Sequence, residues 1–394
     1  MTLAAPLGPE LLPPGVGSRF IDGVNGLRMH VLEAGDPGKP LLLLLHGFPE
    51  LAYSWRHVLR PLASLGFHVV APDQRGYGRT TGWSPAYDQD LRPFSLLHLA
   101  ADAVALVYAL GARTVAGVVG HDFGSPVAAW AALARPDLFR SVVLMSAPFA
   151  GAPRAALGAG AAATGTPAGL HAARDAVADG LAALARPRKH YQWYYATRAA
   201  NADMLEAPQG LHAFLRAYFH FKSADFAGNA PFRLEDASPE QLALMPAYYI
   251  MDLAHTMPQA VTPFMPTREA VACCTWLTEA DLAVYAGEFA RTGLQGGLNW
   301  YRTRFDPAIA ADFSLYANRT IDVPSLFIAG RSDWGVYQVP GAFEDMQARA
   351  TTRMLGCHLV DGAGHWVMQE RPVEVVALIE AFLARIADGS AQGR

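Results

Sequence analysis

The chain has 394 residues, 52% of them hydrophobic and 17% charged, with a formal net charge of −4. This composition describes a globular protein rather than a disordered one, and the acidic balance excludes a nucleic-acid binder held by phosphate contacts. The length exceeds the usual size of one hydrophobic core, so two units, or one core with a large insertion, are expected.

Three cysteines, two of them adjacent (Cys273, Cys274), give neither a disulfide framework nor metal-ligand spacing. They fit a reducing, cytoplasmic setting without a metal or organic cofactor. The first residues, Met1 to Gly15, lack the basic start and apolar core of a signal peptide, and no stretch reaches the ~18 apolar residues of a membrane span.

Residues 1–18, rich in Pro and Gly, read as a loose lead-in. Arg28 to Glu33 alternates as a strand does, and Gly35-Asp36-Pro37-Gly38 is a turn. Leu41 to Leu45 is continuously apolar, the pattern of a strand buried on both faces. A helix follows near Trp55–Leu65, interrupted by Pro61 and stopped by Gly66. His68 to Asp73 is the next strand. Ser95 reads as an N-cap for a helix with Leu96, Leu99, Ala103, Val107 and Leu110 at helical spacing, closed by Gly111. Thr114 to Val119 is a strand, Ser125 to Leu133 a helix, and Ser141 to Ser146 a further strand. Strand and helix alternate, which implies a mostly parallel sheet with helices on both faces.

After Ala147 the alternation stops. Residues 150–185 are dominated by Ala, Gly and Thr, without a clear strand, and part of this stretch is expected to be mobile. Helical signals follow: Ser238-Pro239-Glu240-Gln241 and Thr278-Glu279-Ala280-Asp281 as capping boxes, the second leading to Leu282, Tyr285 and Phe289 on one face. The α/β pattern returns with strands at Ser325–Gly330 and Met354–Val360 and a helix opened by Pro372. The expected organisation is therefore a sheet core from 1–148 and 323–394, with a mainly helical cap inserted at 149–322.

Between the strand at Thr114 and the helix at Ser125 stands Gly120-His121-Asp122-Phe123-Gly124. A sharp strand-to-helix turn between two glycines is the nucleophile elbow, usually written G-x-S-x-G; here Asp122 takes the middle place. Alone, such an Asp also serves as a turn residue. Three other strand ends carry unusual sequences: His46-Gly47-Phe48-Pro49, Gly330-Arg331-Ser332-Asp333, and Asp361-Gly362-Ala363-Gly364-His365-Trp366. Functional groups of open parallel sheets collect at the carboxyl ends of strands, and nucleophile, acid, histidine is the chain order of the α/β-hydrolase triad.

The chain resembles the α/β-hydrolases with an Asp nucleophile, and among them the epoxide hydrolases, through His46-Gly47-Phe48-Pro49-Glu50, Arg75-Gly76-Tyr77-Gly78 and Gly120-His121-Asp122-Phe123-Gly124. The resemblance implies a catalytic triad of Asp122, Asp333 and His365. It also implies an oxyanion hole from the backbone N–H groups of Phe48 and Phe123, and two cap tyrosines that act as acids. Gly297-Leu298-Asn299-Trp300-Tyr301-Arg302 points to Tyr301 as one of these. His190-Tyr191-Gln192-Trp193-Tyr194-Tyr195 points to Tyr191 as the other, with Tyr194 and Tyr195 alongside it as alternatives.

The residue types suit that chemistry. An Asp, with a reference pKa of about 3.9, is ionised at neutral pH without a base and can attack carbon directly to form an alkyl ester. The histidine is then free to activate the water that hydrolyses the ester, oriented by the second Asp. A tyrosine, protonated at neutral pH, can donate to the alkoxide of an opened epoxide. The implied substrate is a small apolar epoxide, with water as the second reactant and no nucleic acid or membrane span involved. Two features depart from the family pattern: the insertion is longer than the usual cap, and Phe123 stands where many relatives have Trp. The rivals are a dehalogenase built on the same nucleophile, for which Phe123 supplies no indole N–H, and a non-catalytic small-molecule binder. The absence of G-x-S-x-G argues against an esterase.

Overall fold

A computed structural model describes residues 4–154 and 167–391. Residues 155–166, where much of the Ala- and Gly-rich stretch expected to be mobile falls, lie outside the described residues.

The chain enters through β1 (Gly17–Val24) and β2 (Leu27–Ala34), an antiparallel hairpin. Its two-residue turn is Asn25-Gly26, both in the left-handed region with φ of 49° and 81°. Two positive φ values match the type I′ turn that suits the twist of a hairpin. β1 was not expected from the sequence, and the lead-in is less loose than its composition suggests: Leu7, Leu12 and Val16 are buried.

The alternating section follows: β3 (Leu41–Leu45), α1 (Arg56–Ser64), β4 (His68–Pro72), α2 (Leu96–Ala109), β5 (Val115–His121), α3 (Gly124–Ala134) and β6 (Val142–Met145). Ser95 caps α2 by accepting the His98 N–H. Between β6 and the next strand of the main sheet lies a mainly helical segment. It includes α4 (Pro167–Ala183), a short ribbon of β7 (Arg188–His190) paired antiparallel with β8 (Ile250–Asp252), α5 (Tyr191–Tyr195), α6 (Leu211–Lys222), α7 (Glu279–Thr292) and α8 (Gln295–Thr303). The core then resumes with β9 (Ser325–Gly330), β10 (Met354–Val360) and α9 (Pro372–Ala391).

The main sheet has eight strands in the order β1-β2-β4-β3-β5-β6-β9-β10. β2 pairs antiparallel with β4, and the strands from β4 to β10 run parallel. The interior strands β3, β4 and β6 are buried at every position, as their apolar runs require. The order runs one way from β3 to β4 and the other way from β5 to β6. Right-handed crossovers therefore send α1 to one face and α3 to the other. α2 packs on α3, and α1 on α9. The reversal lies between β3 and β5, and a crevice at the carboxyl ends of such a strand pair is where open α/β sheets bind their ligands.

One of the two expected capping boxes forms and the other is half made. Thr278 and Asp281 form the reciprocal box expected of them. Ser238 caps its helix through the Gln241 N–H, but the Gln241 side chain accepts from Glu235 N rather than returning to Ser238. Among the described residues no helix is long and apolar enough to cross a membrane.

Candidate active site

The elbow strains its central residue. Asp122 has φ 49°, in the left-handed region that costs a non-glycine residue energy. The turn closes because its flanks are small: a Cβ on Gly120 would fall 2.1 Å from Gly124 O, and one on Gly124 would fall 2.2 Å from Leu45 O. The reward is position, since Asp122 stands at the head of β5 beside the loop that leaves β3.

That loop is fastened from behind. Glu50 Oε2 accepts the Gly47 N–H at 2.8 Å and lies 2.7 Å from Nδ1 of His121. Nε2 of His121 in turn lies 2.7 Å from the carbonyl of His365. One buried relay thus ties together the ends of β3 and β5 and the turn after β10. The loop presents the Phe48 N–H to Asp122 Oδ1 at 2.9 Å. The Phe123 N belongs to the same spot, because a Cβ on Gly47 would lie 2.3 Å from Asp122 Oδ1 and 2.7 Å from Phe123 N. Of the two expected oxyanion donors, Phe48 donates to this carboxylate oxygen, and Phe123 N borders the same narrow space beside Gly47.

His365 and Asp333 meet Asp122 in space. Nδ1 of His365 is 3.0 Å from Asp333 Oδ1, and Nε2 is 3.3 Å from Asp122 Oδ2. Nε2 is out of line for a hydrogen bond to that oxygen and has no other partner among the described residues. Asp333 is fixed by accepting the Gly335 N–H at 2.7 Å. Burial would raise the Asp122 pKa, but the neighbouring imidazole, with Lys222 and His121 adding to it, holds the carboxyl well below the usual range. Burial and Lys222 work against a charged His365, while Asp333 and Asp122 outweigh them and raise the imidazole to about 9.

Asp122 opens onto a cavity of about 250 Å³, lined also by Phe123, Trp130, Phe149, Tyr191 and Tyr301. Tyr191 and Tyr301 hang over it from α5 and α8, their rings 5.9 Å apart and tilted by 74°. Of the three tyrosines on α5, only Tyr191 lines this cavity. Tyr194 donates to Asp203 Oδ2 at 2.9 Å, and Tyr195 to the Tyr218 hydroxyl at 3.4 Å. Burial, with Asp122 nearby, drives the pKa of both Tyr191 and Tyr301 well above 10, so both keep their protons.

α8 can deliver Tyr301 because two glycines follow Gln295 in its first turn. A Cβ on Gly296 would fall 1.9 Å from Gly76 O, and one on Gly297 would fall 2.6 Å from the Tyr77 hydroxyl. The helix rests directly on the loop after β4, and the Trp300 indole donates to Arg75 O at 3.0 Å. Arg75 is itself held by a two-point pair with buried Asp102 at 2.7 and 2.8 Å.

Glu50, His121 and Lys222 were not singled out for a role in the sequence. Glu50 carried a faint signal, an acid three residues after the glycine whose N–H it binds. Lys222 carried another: it falls on the same helical stripe as Leu215, Tyr218 and Phe219, an odd place for a cation.

Comparison with known proteins bears on the family. Residues 40–169 match the family model of the alpha/beta hydrolase fold. Epoxide hydrolase A of Mycobacterium tuberculosis is 34% identical over 381 residues, covering 93% of this chain and 96% of the relative. Epoxide hydrolase 2 of Siraitia grosvenorii is 30% identical, covering 92% and 96%. Among solved structures, an epoxide hydrolase from an endophytic Streptomyces superposes with a TM-score of 0.74 at 33% identity, covering 95% of this chain and 97% of that one. Epoxide hydrolase A from Mycobacterium thermoresistibile gives 0.69 at 31% identity, covering 94% and 98%. A strained aspartate at the switch point, a histidine and second aspartate behind it and two tyrosines above it thus accompany likeness along nearly the whole chain, which belongs to the epoxide hydrolase family of the α/β-hydrolase fold.

Proposed function

We propose that the protein hydrolyses an epoxide to a vicinal diol in two steps, through an alkyl ester on Asp122. The observation that carries this reading is the placement of one ionised carboxylate between two protonated tyrosines on one side and an imidazole on the other. In the first step Asp122 Oδ2 bonds to an epoxide carbon, the ring C–O bond breaks, and Tyr301 or Tyr191 gives its proton to the released oxygen. Oδ1, held by the Phe48 N–H, becomes the carbonyl oxygen of the ester. In the second step water attacks the ester carbon while His365 takes its proton, with Asp333 orienting the ring. Charge on Oδ1 is met by the Phe48 and Phe123 N–H groups, and loss of one such donor typically costs about 10²–10³ in rate. The Cγ–Oδ2 bond then breaks, the proton on His365 passes to the departing oxygen and the diol leaves; Asp122, rebuilt with an oxygen from water, passes its acid proton to the freed imidazole and is ionised again.

In this reading residues 149–322 form the cap that carries the two acids, and the substrate is a small apolar epoxide in keeping with the largely apolar cavity. We place the activity in the cytoplasm, on the strength of the cysteine usage. A dehalogenase would need an N–H donor for halide beside the nucleophile; Phe123 supplies none, and Trp300, packed on it, spends its indole N–H on Arg75 O. The test is turnover of a panel of aryl and alkyl epoxides and haloalkanes. Diol from an epoxide supports the reading; halide release without diol, or binding without product, removes it.

A further inference from the structure

Lys222 ends α6 with its side chain only 2% exposed. Its ammonium has no carboxylate within ion-pair distance among the described residues; aromatic rings surround it instead. Nζ lies 5.0 Å from the ring centre of Tyr249, 5.3 Å from Tyr218, 5.4 Å from Trp366 and 5.7 Å from Tyr248. Rings at such distances favour a desolvated cation through their quadrupoles. The cage stands directly behind the histidine. Lys222 O accepts the His365 N–H at 2.9 Å, and a Cβ on Gly364 would fall 2.6 Å from that oxygen. Trp366, one wall of the cage, is the residue after His365.

The charges around the imidazole come from every element packed on it. Asp122 stands on the elbow and Asp333 after β9; both favour a protonated ring. Lys222 on α6 opposes it. His121 and Glu50 form the relay beneath, and Tyr218, Tyr248 and Tyr249 keep their protons. Esterification turns Asp122 from an anion into a neutral group, and Asp333 is then left to favour a protonated ring against burial and Lys222.

We propose that Lys222 is a positioning residue for ester hydrolysis: its caged ammonium disfavours a second positive charge on His365 once Asp122 is an ester, and so leaves the imidazole free to act as a base. The proton that Nε2 gives up balances the one a cavity tyrosine donates to the opened ring. The inference rests on the roles of Asp122 and His365 set out above. It adds a device that links the end of the first step to the start of the second.

The test follows both steps separately, by rapid quench and intact-protein mass across pH, in Lys222→Met and Lys222→Arg. Met fills the cage without charge. Removing a cation raises the affinity of His365 for its proton, so ester hydrolysis in Lys222→Met should need a pH higher by about one unit and run about tenfold slower at neutral pH. Alkylation should change less, and the ester should accumulate. Lys222→Arg should move both readouts back toward the parent. Hydrolysis with the parent pH profile, or both steps falling together with no shift, overturns the proposal. Should Lys222→Met fail to fold, Lys222→Gln decides: the pH midpoint of ester hydrolysis should again rise above that of the parent, and an unchanged midpoint overturns the proposal. Absence of any ester in the parent would instead strike at the underlying mechanism.

Discussion

A single methyl group at residue 47 should be enough to disable the site. In Gly47→Ala the new Cβ would press on Asp122 Oδ1 and on Phe123 N, so either the carboxylate or the loop must move. We expect a folded enzyme with activity reduced about 10²-fold, the scale of losing one oxyanion donor, measured as kcat/KM beside an unchanged circular dichroism spectrum. Tyr301→Phe keeps the ring packing on Phe123 and removes only the hydroxyl. It should slow alkylation about 10²-fold and leave ester hydrolysis nearly untouched, which stopped-flow resolution of the two steps would establish. Equal slowing of both steps would take Tyr301 out of the acid role. At this scale Asp122, Asp333 and His365 could be read from chain order and strand ends. The relay from Glu50 through His121 to the His365 carbonyl could not, because it joins residues 71 and 244 positions apart along the chain. No local pattern marks such contacts.

Elements whose sequence carries a local physical signal were legible. β3 announced itself by five leucines, and α2 by its Ser cap and helical spacing. β1 did not, because its outward residues are charged or glycine, as an edge strand allows. Its one clear signal was Asn25-Gly26, the preferred sequence of a two-residue hairpin turn. The seat of α8 was also hidden. Gly296 and Gly297 read as poor helix formers, and only the fold shows that Gly296 lets backbone meet backbone at Gly76 while Gly297 leaves room for the side chains of Tyr77 and Phe48. Gly296→Ala should therefore gain helix propensity and still destabilise the protein. Overpacking of this kind costs roughly 1–3 kcal/mol. A lowered melting temperature together with slower alkylation would be the signature, since Tyr301 rides on the same helix. A raised melting temperature with full activity would show that the contact is dispensable.

Across the whole molecule, the sheet and the helical segment divide the labour. The sheet brings Asp122, His365 and the Phe48 N–H, to which the proposed reading gives the roles of nucleophile, base and oxyanion donor, to the carboxyl ends of its strands, and that much followed from alternating strands and helices. The helical segment brings the two tyrosines proposed as acids, and which one of α5 lines the cavity with Asp122 depends on packing that the sequence leaves open among Tyr191, Tyr194 and Tyr195. This division has a consequence for pH. Alkylation needs an ionised Asp122, whose pKa is lowered, and protonated tyrosines, whose pKa values are raised, so it should persist over a wide range. Ester hydrolysis needs a neutral His365, so it should fall as pH falls below the midpoint of that group, about tenfold per unit. The steady-state fraction of alkylated enzyme should rise toward acid pH, readable by intact mass after quenching. A fraction that falls instead would reverse the assigned order of roles.

The most direct measurement is a single turnover in H₂¹⁸O with enzyme in excess over epoxide. If Asp122 bonds to carbon, the oxygen added to the diol in the first turnover comes from its carboxylate. That diol should be unlabelled, and the label should appear in the peptide that carries Asp122. Label in the first diol, with none on the protein, would mean that water attacks the epoxide directly and would contradict the account.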